Sequence, residues 1–176
     1  MIKKLGQELL SLVGPNGFKR KIIAKLFQLP NGLKEFFYID DNKDSVQVFC
    51  VTTGGDVVLV QQFRPNLEKE ELELPGGGLN SDENPLHAGV RELAEETGYV
   101  GDATYMGFSY YSPYSTGKRH QVLVINAKKV ENQHLDPNEF VTVLKISLKD
   151  FRNKIKTGEI RGYELGYMSL DYLGKL

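Results

Sequence analysis

The sequence predicts an α/β fold in which a mixed β-sheet packs between helices, an α/β/α sandwich, with an N-terminal β-hairpin extension. Two observations carry this. Strand-like runs come in groups around one or two helical segments, the pattern of a mixed sheet with helices laid against it. Within them, Val57-Val58-Leu59-Val60 is apolar enough to be buried on both faces. The 176 residues suffice to bury a real core and contain no internal repeat, low-complexity tract or interdomain linker.

In chain order, Lys3 and Lys4 precede Leu5, Leu9, Leu10 and Val13, with Gln7 and Glu8 between. We read a short amphipathic helix there and no export segment, because no small-residue cleavage site follows and no apolar run approaches the roughly 18 residues that span a membrane. Residues 21–28 and 33–39 flank the turn Leu29-Pro30-Asn31-Gly32 as a hairpin. Strands are expected at 45–52, then at 57–63 after Gly54-Gly55-Asp56, and briefly at 71–74. A glycine loop, Pro75-Gly76-Gly77-Gly78, follows. Beyond a central helix, 103–110, 121–129 and 140–146 read as strands, and 148–156 as a helix ended by Thr157-Gly158. Residues 1–44 form the helix-and-hairpin extension and 45–176 the main domain.

The central helix has explicit ends. Asn84 is a good N-cap, Pro85 suits the first helical position, and Gly98 is a natural stop. Leu86, Val90, Leu93 and Thr97 form its apolar stripe. Gly89 costs roughly 1 kcal/mol against Ala mid-helix, so it is either a place where another backbone packs close or a tolerated weak spot. Glu92, Glu95 and Glu96 stand at i, i+3 and i+4 and share one face. Like charges that close repel, and a divalent cation relieves the repulsion; Mg2+ takes a few carboxylate oxygens and keeps positions open for water and phosphate. The plain alternative is a solvated acidic face.

Other features narrow the function. A net charge of −1 supplies no general field for nucleic acid or anionic membrane, so a phosphate-bearing ligand must be held by local groups. Cys50 is the single cysteine and lies in an apolar run, which suits a buried thiol in a reducing cytoplasm. His87, His120 and His134 lack metal-site spacing. Tyr110, Tyr111 and Tyr114 suit either stacking on a base or rim packing.

Gly77, Glu83, Arg91, Glu92, Leu93, Glu95, Glu96 and Gly98 match the signature of the Nudix hydrolases, which the chain therefore resembles over residues 77–99; Tyr99 stands where the pattern has an aliphatic residue. The resemblance implies a Nudix fold and metal-dependent cleavage of a diphosphate linked to some other group. It implies two or three Mg2+, replaceable by Mn2+, on Glu92, Glu96, the Gly76 carbonyl and Glu95. It also implies that Glu83 and Arg91 brace loop against helix. The glycine loop serves equally as a tight turn and as room for close approach to metal or phosphate.

The flanks, Gln61-Gln62-Phe63-Arg64-Pro65 and Glu71-Leu72-Glu73-Leu74-Pro75-Gly76-Gly77, resemble those of ADP-ribose and nucleoside-diphosphate-sugar pyrophosphatases, and Pro113 falls near the proline that this subgroup carries beyond the signature. That implies ADP-ribose as substrate, giving AMP and ribose 5-phosphate, with GDP-mannose or another nucleotide sugar as variants. It implies Glu139, on a mobile loop, as general base; the alternative is an exposed acid beside Asp136. Arg64 suits a bidentate clamp on phosphate or ribose, or a buried pair with Glu71 or Glu73. Pro113, Lys118 and Arg119 are candidate substrate contacts, the two cations being equally suited to a solvated loop. A homodimer through the N-terminal strands is implied as well. Nucleoside triphosphate and dinucleotide polyphosphate hydrolases are the near rivals; a non-catalytic nucleotide sensor is the distant one, and this chain keeps the acids that sensors tend to lose.

Overall fold

Three antiparallel strands open the chain, β1 (Lys3–Val13), β2 (Lys19–Gln28) and β3 (Lys34–Asp40), side by side in that order. The computed structural model describes residues 1–15, 17–130, 132–135 and 137–176. Its contacts divide into two units, Met1–Asp44 with Ser109–Arg119, and Ser45–Phe108 with His120–Leu176. The hairpin of β2 and β3 is the one read from the turn: Leu29 N donates to the Leu33 carbonyl (2.8 Å), and Gly32 closes the turn at φ +88°.

Residues 3–13 are a strand, which corrects the helix expected there. Their leucines suit one helical face, but an isolated helix shorter than about 12–15 residues is marginal in water. Pairing with β2 from Lys3↔Gln28 to Val13↔Lys19 instead gives the backbone partners along one edge of the run, with one irregularity at Lys4/Gly6.

The second unit contains β4 (Ser45–Thr52), β5 (Asp56–Arg64), β6 (Lys69–Glu73), α1 (Pro85–Thr97), most of β7 (Tyr99–Tyr110) and β8 (Lys118–Lys129), then β9 (Val141–Ser147), α2 (Leu148–Thr157), β10 (Ile160–Arg161) and α3 (Tyr163–Tyr172). The sheet runs β10-β6-β5-β4-β8-β7, with β9 on β5; it is mixed, because β10 pairs parallel to β6 while β5 pairs antiparallel with β4, β6 and β9. Period-two alternation explains its two cores. Val46, Val48, Cys50, Val58, Val122 and Val124 pack with Ala88 and Leu93 of α1. Phe49, Val51, Val57, Leu59 and Leu123 pack with Phe151 and Ile155 of α2 and Leu165 and Leu170 of α3. The apolar runs that alternation alone leaves ambiguous are strands covered on both faces.

Gly89 is close-packed, though by side chains: a Cβ there would meet Val122 Cγ2 at 2.8 Å and Val46 Cγ2 at 3.2 Å. Neither β10 nor α3 was expected. Gly162 and Gly166 weaken the helical pattern locally, and tertiary packing supplies what propensity lacks, Gly166 lying against the Phe151 ring.

Candidate active site

The site begins with α1 and its caps. Asn84 Oδ1 accepts from Leu86 N (2.9 Å), Pro85 stands in the first turn, and Gly98 ends the helix at φ +74°, its amide donating to the Ala94 carbonyl. Glu92 and Glu96 of this rod meet the glycine loop, while Glu95, more exposed, bonds to Arg91.

That loop lies between β4 and the helix. Val48 N donates to the Pro75 carbonyl (2.8 Å) and Val46 N to the Gly77 carbonyl (2.9 Å), while the Gly76 amide turns away from β4 and donates to Glu96 Oε2 (2.8 Å). Gly76 has φ +155°, and a Cβ there would overlap the Val46 carbonyl; a Cβ at Gly77 would overlap the Glu92 carboxylate. Both positions require glycine, the first for its backbone and the second for the room it leaves an acid.

Arg91 ties the loop to the helix. Its Nε donates to Glu83 Oε1 (2.8 Å), its Nη2 to Glu83 Oε2 (2.9 Å) and to the Gly78 carbonyl (3.2 Å), and Glu83 Oε2 also accepts from Asn80 N (2.9 Å). Arg91 Nη1 donates to both Glu92 Oε1 (2.9 Å) and Glu95 Oε2 (2.8 Å). One guanidinium thus relieves the like-charge repulsion between Glu92 and Glu95, and Glu96 lies outside its bonds. In this arrangement no three acidic, imidazole or thiol side chains among the described residues converge at ligating geometry.

Electrostatics separates the acids. Glu96 is 5% exposed, and burial pushes its carboxyl up to about 8, with Glu92 and Glu139 pushing the same way against the Gly76 amide. Burial also raises Glu92, opposed by Arg91. Glu83 moves the other way: the bonds from Arg91 and the Asn80 amide hold it down at about 2. The donor set is all oxygen, and a buried carboxyl held protonated is one a hard divalent cation would deprotonate, so these residues suit Mg2+ in chemistry.

Arg64 faces the same site. Nε and Nη2 grip Glu73 Oε1 and Oε2 bidentately (2.6 and 2.5 Å), a bond that raises the guanidinium's pKa, and the charge of Glu96 acts on it too. Arg161 Nε adds a contact to Glu71 Oε2 (2.7 Å). Of the two roles open for Arg64, the buried pair is therefore formed, with Glu73. Glu139 is exposed, in the segment before β9, with its charge reaching Glu92 and Glu96; Asp136 lies outside the described residues. Pro113, Lys118 and Arg119 belong to the first unit. There Pro113 lines a cavity of about 540 Å³ with Tyr110, Tyr111, Ser112 and Ser115, Lys118 N donates to Asp44 Oδ1 (2.8 Å), and Arg119 sits 5.2 Å from the Tyr111 ring centre. Tyr105 Oη lies 2.8 Å from Nδ1 of the buried His120, and burial pushes the Cys50 thiol up to about 12, as suits an inert core cysteine.

A glycine loop pinned to a Glu-rich helix by an internal arginine, inside a mixed sheet covered on both faces, defines a class of hydrolase. Residues 41–166 match the NUDIX domain, and the chain belongs to the Nudix hydrolase family. It is 33% identical over 149 residues to the ADP-ribose pyrophosphatase of Bacillus subtilis (strain 168), which covers 83% of this chain and 80% of that protein. It is 32% identical over 136 residues to the methanol dehydrogenase activator of Bacillus methanolicus, covering 76% of this chain and 74% of that protein. The crystal structure of an ADP compounds hydrolase shares the fold with a TM-score of 0.80 at 17% identity, over 99% of this chain and 97% of that one.

Proposed function

We propose that the chain hydrolyses the diphosphate of a nucleoside diphosphate sugar, ADP-ribose first among them, to AMP and ribose 5-phosphate. The observation that carries the reaction is the half-buried Glu92 beside the buried Glu96, set against Gly77 and Gly76, with the charge of Glu139 on both acids. The likeness to an ADP-ribose pyrophosphatase along most of both chains supports the substrate class.

Glu92, Glu95, Glu96 and the Gly76 carbonyl would hold Mg2+, with Mn2+ as substitute. A cation held by these residues would supply charge neutralisation for diphosphate oxygens and a more acidic water. Glu139 takes the proton as water adds to one phosphorus, the bridging P–O bond breaks, and AMP and ribose 5-phosphate separate. Arg91 shares Nη1 between Glu92 and Glu95 and keeps the face assembled before the ion arrives. Arg64, held flat by Glu73, offers its remaining N–H groups to phosphate or ribose oxygens.

We assign residues 1–44 to a homodimer contact and residues 45–176 to catalysis. Leu9, Leu12, Phe36 and Tyr38 are exposed on β1 and β3, apolar surface suited to a second copy. No helix among the described residues is long and apolar enough to cross a membrane; with its one cysteine buried and reduced, the chain suits the cytoplasm.

A panel of ADP-ribose, GDP-mannose, other nucleotide sugars, nucleoside triphosphates and dinucleotide polyphosphates with Mg2+, read by released monophosphate, tests the reading. ADP-ribose should turn over fastest. Triphosphates outrunning every nucleotide sugar would overturn the substrate class.

A further inference from the structure

The end of a helix leaves carbonyls without intrahelical partners. At the end of α1 the segment after β8 supplies donors to three: Val130 N to the Gly98 carbonyl (2.9 Å), His134 N to Glu95 (2.8 Å), and the side chain of Gln133, through Nε2, to Glu96 (2.7 Å). The same Nε2 donates to the Val141 carbonyl at the start of β9 (3.0 Å). A carboxamide nitrogen carries two hydrogens. Gln133 sets one on the helix that bears the paired carboxylates and the other on the strand just after Glu139.

We propose that Gln133 is a positioning residue for hydrolysis: by joining the chain at 133 to the end of α1 and to Val141, it holds Glu139 in register with Glu92 and Glu96. The inference rests on the reading of Glu139 as general base. Glutamine is suited to the task because it is long enough to reach both acceptors and donates to both. Glutamate has the same shape but presents oxygen to two carbonyls, and alanine leaves both acceptors without this donor. Glu139 lies two residues from the Val141 anchor, so loosening that anchor moves the base more than it moves the carboxylates on α1, which Arg91 and Gly76 hold independently.

The test is a kinetic cycle on ADP-ribose with Gln133→Ala, Gln133→Glu, Glu139→Gln and the two double variants. Each Gln133 variant should lower kcat roughly tenfold to a hundredfold with KM within about twofold, since misplacement of a reacting group costs on that order. In the Glu139→Gln background the same changes should lower kcat no further, because a residue acting through Glu139 has nothing left to act on. Unchanged kcat in both Gln133 variants, or an equal loss in both backgrounds, overturns the proposal. Hydrogen exchange of the peptide spanning 134–141 reads the tie without substrate: exchange should quicken at least tenfold in Gln133→Ala, and unchanged exchange also overturns it. A wild-type chain inactive on every nucleotide sugar counts against the proposed function, and exchange then decides the tie by itself.

Discussion

Leu59 in the middle of β5 is fully buried, whereas Leu9 in the middle of β1 is 58% exposed, though both are leucines in antiparallel strands. The difference lies in what covers each sheet. In the second unit, α1 lies on one face and α2 and α3 on the other, so β4, β5 and β8 are packed on both sides and position the glycine loop against α1. In the first unit, β1, β2 and β3 leave Leu9, Leu12, Phe36 and Tyr38 at the surface. A sheet closed on both faces is a scaffold for fixed chemistry; one with apolar side chains left outside is a surface for association. The proposed division of catalysis and assembly follows this difference in cover.

The largest blow to this division falls on the closed sheet's site. Glu96→Gln should lower kcat by roughly a hundredfold to a thousandfold while the fold persists, a loss of the size seen when one charge-stabilising group is removed; steady-state kinetics beside circular dichroism checks it, and near-normal turnover would remove Glu96 from the site. Leu59→Ala should destabilise the domain by about 2–5 kcal/mol in denaturant unfolding, as for buried leucines generally. Glu139→Gln should slow turnover by roughly a hundredfold with KM nearly kept, and a normal rate would end its nomination as base.

A smaller effect separates the two regions by pH. Glu96 has a folded pKa of about 8 against the ordinary 4.5. A raised pKa means the folded chain binds the proton more tightly, so this contribution to stability is complete below the unfolded value and is lost as pH rises through about 8. With metal chelated, the melting temperature should fall between pH 5 and pH 9, and Glu96→Gln should flatten that slope; an equal slope in both proteins would show that the charge of Glu96 is not what burial opposes. Smallest of all, Leu9→Asp should leave the unfolding of the second unit within about 0.5 kcal/mol of wild type, as surface changes do, while sedimentation shifts from dimer to monomer. A wild-type chain that sediments only as monomer would remove the assembly half of the comparison.

What could be read from the chain alone divides along a similar line. Helix α1 was legible because its signals are local: Asn84, Pro85 and Gly98 mark its ends, and three glutamates share its face. Residues 3–13 misled because leucine spacing suits a helix while the partner that makes them a strand, β2, lies elsewhere in the chain. For Arg64 the sequence left Glu71 and Glu73 open as partners, and the choice of Glu73 depends on how β5 and β6 lie together, which is not local. Gln133 is harder still, since a polar loop residue carries no sign of the two carbonyls that meet its amide. Arg91 and Glu95 stand at i and i+4, a local signal for their bond, whereas the bond of Arg91 to the adjacent Glu92 has no such spacing behind it.

The central claim is that the buried carboxyl of Glu96 is held for a cation. Mg2+ titration calorimetry at pH 7, repeated in buffers of different ionisation enthalpy, counts the protons released on binding. A group with a pKa of about 8 is mostly protonated at that pH, so wild type should release close to one proton from this carboxyl and Glu96→Gln essentially none. Mg2+ binding without proton release in wild type, or equal release from both proteins, would contradict the account.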